Sequence, residues 1–182
     1  MIQIDTFDKI VIESNTLVLS DIDETILFYD KINQKWWKDK IDYYMNKNKC
    51  DSSKATIFAL DEWFEHIQKN VPRHTDNIGF RNLLENIKQK NSKLIFITAR
   101  HPDFKQITEE HFNYLGLNPS DYKVHYLGGY PKGQYIKENI NTSNYNNIIF
   151  IDDLDRNITS VEKTFPNNNK LITYKFIMKD MN

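Results

Sequence analysis

Leu17-Val18-Leu19-Ser20-Asp21-Ile22-Asp23-Glu24-Thr25 is the stretch on which the fold turns. A short apolar run passes directly into two carboxylates, two residues apart, and then a hydroxyl. Bounded this way, residues 17–22 read as a buried strand. Strands buried on both faces belong to parallel α/β sheets, where ligands bind outside the carboxyl ends of the strands. Asp21 and Asp23 are therefore delivered to a ligand-binding rim. Two carboxylates there can hold a hard cation, and one can also attack an electrophile.

Further apolar runs read as strands at residues 93–99, 122–127, 147–152 and 171–176, with helical periodicity between most of them. Residues 76–90 place Ile78, Leu83, Leu84 and Ile87 on one face, with Asp76 as the N-cap. Residues 103–115 repeat that pattern as far as Gly116. Pro131 opens a helix running to residue 140, and residues 155–165 are helical until Pro166. The alternation predicts an α/β fold, a Rossmann-like doubly wound parallel sheet with helices on both faces. Ile10-Val11-Ile12 reads as an extra edge strand.

One gap is too long for a simple connection. About fifty residues lie between Thr25 and Asp76, far more than a strand-to-helix loop needs. Residues 36–45 and 56–69 within it read as helices. We take residues 30–74 as a small, mostly helical cap inserted after the first strand, and residues 1–29 and 75–182 as the α/β core. Such an insertion sits over the carboxyl rim and can act as a lid; extra packing against the sheet edge is the alternative. Trp36-Trp37 fits the packing of this insertion better than substrate stacking, since neighbours on a helix point in different directions.

Composition narrows the function classes. With 40% apolar and 27% charged residues the chain is ordinary globular protein. A net charge of −1 argues against a nucleic-acid binder held by bulk electrostatics. Locally, the seven lysines and three aspartates from Lys31 to Lys54 give the lid +4, which could draw in an anion. The single Cys50 excludes an intramolecular disulfide and a cysteine metal cluster. None of the histidines shows metal-ligand spacing. Ile, Asn and Lys supply 64 of the 182 residues throughout the chain, so Asn167-Asn168-Asn169 is a loop rather than a functional tract. The first fifteen residues lack a secretory pattern, and no apolar run is long enough to span a bilayer. The expectation is a soluble, cytoplasmic protein with no membrane partner.

The other strand ends are also polar. The second strand closes on Thr98-Ala99-Arg100, Pro131-Lys132-Gly133 opens the helix after the third, and Asp152-Asp153 ends the fourth, with Asn157 just beyond. Carboxylates, a hydroxyl and a lysine at one rim would make a Mg²⁺ and phosphate site.

This ordered set resembles the haloacid dehalogenase (HAD) superfamily of aspartate-dependent phosphotransferases, from Leu17 to about Phe176. The resemblance implies that Asp21 attacks phosphorus and becomes an aspartyl phosphate. It makes Asp23 the general acid and then the base for the hydrolytic water. Thr98 and Lys132 complete the implied catalytic set, with Thr25, Ala99 and Arg100 touching substrate. Arg100 is open between that contact and a surface salt bridge. Mg²⁺ would be held by Asp21, the Asp23 carbonyl and Asp153, supported by Asp152 and by Asn157, where many relatives carry Asp. The cap falls between the family's first two motifs. An Asp at position 23 implies transfer to water rather than carbon–halogen chemistry.

The implied activity is a Mg²⁺-dependent phosphomonoester hydrolase, with a phosphorylated small molecule as the partner. The D-x-D-E-T opening resembles acid-phosphatase-like branches, and the double Asp resembles a polynucleotide 3′-phosphatase branch. Three alternatives stay open: a phosphatase of nucleic-acid ends, a phosphotransferase to an alcohol, and a non-catalytic HAD-fold binding protein. The substrate and the oligomeric state are not legible.

Overall fold

The computed structural model describes residues 1–178; positions 179–182, at the end of the segment assigned to the core, lie outside the described residues. In chain order the strands are β1 (Ile2–Ile4), β2 (Thr16–Ser20), β3 (Leu27–Phe28), β4 (Arg73–His74), β5 (Lys93–Thr98), β6 (Lys123–Tyr126), β7 (Asn147–Asp152) and β8 (Leu171–Phe176). The helices are α1 (Gln34–Asn48), α2 (Ser52–Lys69), α3 (Asn77–Gln89), α4 (Lys105–Tyr114), α5 (Lys132–Asn139) and α6 (Asp155–Thr164). Six strands form one sheet in the order β1-β8-β7-β2-β5-β6, and every described pairing in it is parallel. The fold is α/β with a Rossmann-like sheet flanked by helices.

The period-two alternation of β2 divides the core. Leu17 and Leu19 join Ile95, Ile97, Ile148 and Phe150 on one face, under Ile136 of α5 and Ile158 and Val161 of α6. Val18 joins Leu94, Phe96, Ile149 and Ile151 on the other, with Phe80, Leu83 and Ile87 of α3 and Phe112 of α4. Leu17, Val18 and Leu19 are all fully buried, each stabilising the fold by about 1.5–3 kcal/mol. From β2 the chain steps to β5 and β6, then returns to β7 on the other side of β2. That reversal makes the carboxyl end of β2 the topological switch point.

Between Thr25 and Asp76 the chain leaves and re-enters the core through a two-stranded antiparallel ribbon, with Leu27 opposite His74 and Phe28 opposite Arg73. The two helices between start earlier than the periodicity predicts. Asn33 caps α1 by accepting from the Trp36 N–H at 2.9 Å, and Asp51 caps α2 by accepting from Lys54 N–H at 2.8 Å. Helix α2 buries Ala55, Ala59, Trp63 and Ile67, a stripe at spacings of four. Trp63 and Ile67 belong to the same apolar cluster as Val18 and Phe96, and Trp36 and Trp37 pack against it.

Three local expectations are corrected. Ile10-Val11-Ile12 is not a strand: the edge beside β8 is taken by Ile2–Ile4. Ile10 and Ile12 still reach the core while Val11 is 71% exposed, so the alternation reflects burial without a ladder. Ile78 lies outside the apolar face of α3 at 73% exposure, because the Asp76 cap turns Phe80, Leu83 and Ile87 inward instead. The segment expected as one helix from residue 103 opens with a 3₁₀ turn at Pro102–Phe104 before α4. Among the described residues no helix is long and apolar enough to cross a membrane.

Candidate active site

The strand endings meet at the switch point. The Asp21 N–H donates to the Ile151 carbonyl at 2.9 Å, locking the first residue beyond β2 beside β7. The chain then turns tightly, with the Ile22 carbonyl accepting from the N–H groups of Thr25, Ile26 and Leu27. Glu24 enters this turn with a φ of 56°, in the left-handed region that a non-glycine residue adopts uncommonly. Asp152 ends β7, and Asp153 follows it. Asp21, Asp152 and Asp153 each offer an oxygen, all within 4.8 Å of one another, and all three residues are buried.

Lys132 answers part of that charge. Its ammonium donates to Asp21 Oδ1 at 2.5 Å and to Asp152 Oδ2 at 2.7 Å. The start of α5 holds it there because Gly133 lies against α6, where a Cβ would come within 2.2 Å of the Ser160 carbonyl oxygen. The other oxygen of Asp152 accepts from the Leu154 N–H at 3.0 Å and from Asn157 Nδ2 at 2.9 Å. Asp153 receives one long hydrogen bond among the described residues, from Gln34 Nε2 at 3.4 Å, the first residue of α1.

One lysine facing three buried carboxylates leaves a charge imbalance, visible in the proton affinities of Asp21 and Asp153. Burial raises the Asp21 carboxyl most, Lys132 pulls it back, and Asp152 and Asp23 raise it again, to about 7. Burial, then Asp21 and Asp152, push the Asp153 carboxyl well above its ordinary value. Glu24, also unassigned from sequence, is pushed up to about 7 by burial and then by Asp23. Burial works against the charge on Lys132, but Asp152 and Asp21 more than offset it and raise its pKa. A buried, oxygen-only cluster with excess negative charge fits a hard divalent cation.

Asp23 faces another cation. Arg100 grips it with both arms, Nε to Oδ2 at 2.9 Å and Nη2 to Oδ1 at 2.7 Å. The Arg100 side chain is 0% exposed, so the salt bridge it makes with Asp23 is a buried one rather than a surface one. Its remaining donors go to Thr108 Oγ1 at 2.8 Å, to the Tyr29 hydroxyl at 3.2 Å and, more distantly, to His111 Nδ1 at 3.4 Å.

Thr98 ends β5 fully inside, with Oγ1 accepting from the Arg100 N–H at 3.1 Å, while Ala99 is exposed. Thr25 is buried beneath the turn, and its Oγ1 has no hydrogen-bond partner among the described residues. Asp21, Lys132, Asp152, Asp153 and Asn157 are thus in one group, and Asp23 and Arg100 form a second beside it. Gln34, Tyr29 and His111 were not legible as site residues: one hydrophilic residue in a lysine-rich helix, one aromatic and one unspaced histidine carry no local signal.

Fold and site together define a doubly wound α/β protein with a buried acidic centre at its switch point. A family model described as "Protein of unknown function (DUF2608)" matches residues 3–128, and the chain belongs to that family. No curated protein matches the chain. Among solved structures, a chain of "Structure of Pnkp1/Rnl/Hen1 complex" is similar over 92% of this chain and 48% of its own length, with a TM-score of 0.51 and 13% identity. This chain therefore spans about half of that one. The Legionella pneumophila effector Ceg4, solved with an N-terminal yeast Hog1p sequence, is similar over 95% of this chain and 92% of its own, with a TM-score of 0.50 and 13% identity. At these identities the likeness is one of fold. The HAD domain of the L. pneumophila effector Lem4 aligns over 93% of this chain and 90% of its own, at a TM-score of 0.48 and 10% identity, too slight a likeness to argue from.

Proposed function

We propose that the chain is a cytoplasmic, Mg²⁺-dependent phosphomonoester hydrolase of the HAD type, with residues 30–74 as its cap. The observation that carries this reading is the division of the D-x-D pair. Asp21 lies with Lys132, Asp152 and Asp153, while Asp23, two residues on, is held apart by Arg100. Mg²⁺, held by Asp21, Asp153 and the Asp23 carbonyl with Asp152 and Asn157 in support, would neutralise the carboxylates and polarise the phosphoryl group.

A carboxylate oxygen of Asp21 attacks phosphorus in line, and the bond from phosphorus to the ester oxygen breaks. Asp23 gives the leaving oxygen its proton. It then takes a proton from the water that attacks the aspartyl phosphate, so inorganic phosphate leaves and Asp21 is restored. Lys132, Thr98 and the Ala99 N–H steady the phosphoryl oxygens. Thr25, buried beneath the turn, supports this binding loop. Arg100 fills one acceptor site on each Asp23 oxygen, and each oxygen keeps another.

The substrate class we favour is a phosphorylated small molecule drawn in by the basic cap. One observation supports a second reading, a nucleic-acid end. Tyr43 is 49% exposed, with Lys40 and Lys47 at 5.9 and 5.2 Å from its ring, an arrangement that suits base stacking beside a phosphate. That reading predicts a steep fall in affinity with salt.

The first experiment is hydrolysis of p-nitrophenyl phosphate with Mg²⁺ or EDTA, beside Asp21→Asn. Turnover should need Mg²⁺ and fall by about a thousandfold or more in the variant. Turnover that survives either EDTA or the substitution overturns the reading.

A further inference from the structure

We propose that Tyr29 and His111 are positioning residues that aim the Asp23 carboxylate through Arg100, tying the placement of the proton donor to the seating of helix α2. This deepens the phosphatase reading and depends on it.

A chain of hydrogen bonds links these groups, and one His111 tautomer satisfies it, with Nδ1 accepting from the Tyr29 hydroxyl at 2.8 Å and lying 3.4 Å from Arg100 Nη1. Arg100 only donates, so the Tyr29 hydroxyl, 3.2 Å from Nη2, accepts there. Its own proton must then point to His111 Nδ1, at 2.8 Å. With Nδ1 accepting, the ring hydrogen sits on Nε2 and donates to the Ile67 carbonyl at 3.1 Å. One tautomer satisfies all three contacts. The neutral ring this requires agrees with burial and the nearby Arg100 charge, which hold His111 down to about 4. On its other arm Arg100 donates to Thr108 Oγ1, which passes its proton to the Phe104 carbonyl at 2.7 Å.

Ile67 lies on α2, and Trp63, one turn earlier on that helix, presents its ring 5.8 Å from the guanidinium carbon. Tyr29 directly follows β3, where the chain departs into the insertion. The insertion thus reaches Arg100 directly through the Trp63 ring and indirectly from the Ile67 carbonyl through His111 and Tyr29, besides the core contact through Thr108. Arg100 has no exposed side-chain surface and its donors are engaged, so it acts on the reaction through Asp23 rather than by touching the phosphoryl group.

A buried polar network can serve stability alone, so the test needs a readout that stability does not move. A general acid matters most when the leaving group is poor. We would measure kcat/KM, which reports the first phosphoryl transfer, for an alkyl phosphate and for p-nitrophenyl phosphate in wild type and Tyr29→Phe. Loss of the hydroxyl should slow the alkyl ester by about tenfold and the aryl ester by about twofold or less, a fraction of a full general-acid contribution. His111→Gln, made in parallel, should show the same selectivity. In an Asp23→Asn background Tyr29→Phe should add nothing, since its effect passes through that carboxylate. Equal slowing of both esters, or an additive effect in the Asp23→Asn background, overturns the positioning role while leaving the phosphatase reading intact. Wild-type protein that hydrolyses neither ester, nor any phosphomonoester in a wider panel, overturns both.

Discussion

Moving the solution from about pH 6 to about pH 8 changes what Asp21 presents to a cation. Its carboxyl, raised from 3.8 to about 7, is roughly nine-tenths protonated at the lower value and nine-tenths ionised at the upper. A carboxyl raised in the folded state binds more protons there than in the unfolded chain. The cation-free protein therefore loses stability as pH climbs from about 4 through about 7, by up to about 4 kcal/mol from Asp21 alone. On the proposed reading Mg²⁺ binding displaces that proton, so its apparent affinity should be about tenfold weaker at the lower pH, or ~1.4 kcal/mol. With Mg²⁺ well above its dissociation constant at both values, that difference appears in full in the unfolding free energy. For a chain of this size it corresponds to about 3–6 °C in melting temperature. The assay is thermal unfolding by circular dichroism at both pH values, with Mg²⁺ and with EDTA. The Mg²⁺ gain should be larger at the higher pH by that margin and should collapse in Asp153→Asn. An equal gain at both values, or one that survives loss of Asp153, would refute the proton–metal competition and the assignment of these oxygens to a cation.

Two other consequences are open to measurement. His111, buried and held down to about 4 from an ordinary 6.5, contributes stability present above about pH 6.5 and lost as pH falls through 4, of about 3 kcal/mol. Because the raised carboxyls trend the opposite way, it is the difference in urea stability between wild type and His111→Gln that should shrink over this window; a pH-independent difference would contradict it. Gly133→Ala places a methyl 2.2 Å from the Ser160 carbonyl oxygen, which should destabilise by about 1–3 kcal/mol and lower the melting temperature by several degrees. A melting temperature within a degree of wild type would mean that α5 and α6 separate freely.

What was legible followed from local chemistry. Residues 147–152 and 171–176 are strands with the predicted bounds; the first carries the apolar run that a buried parallel strand demands, while the second mixes Thr173 and Lys175 with apolar residues and leaves Ile172 37% exposed. Asp21 and Asp152 could be placed at one rim since each ends such a run, and the rule of the carboxyl edge does the rest. Ile10-Val11-Ile12 failed for the complementary reason: burial alternates there, but a ladder needs a free sheet edge, and Ile2–Ile4 already occupies it. The role of Arg100 was out of reach, since its partners Asp23 and Tyr29 lie 77 and 71 residues away in the chain. Nothing in Thr98-Ala99-Arg100 distinguishes an arginine that turns inward from one that turns out.

Charge explains why the two aspartates of one turn can take different work. Asp21 shares Lys132 with Asp152 and lies within reach of Asp153, so its surroundings are short of positive charge. Asp23 has a guanidinium to itself, in bidentate geometry that a lysine could not reproduce. The backbone makes the separation: Ile22 between them is fully buried, and the turn that its carbonyl organises sends the two side chains to different cations. A D-x-D motif on a straight strand would point both carboxylates the same way. Here the tight turn, with Glu24 in the left-handed region, aims one oxygen pair at the acidic centre and the other at the network that reaches α2. If Arg100 were replaced by lysine, the point charge would survive and the fork would not. On the proposed reading Asp23 would keep a counter-ion but lose its aim: kcat/KM for an alkyl phosphate should fall, while the Mg²⁺-dependent gain in melting temperature should match that of wild type.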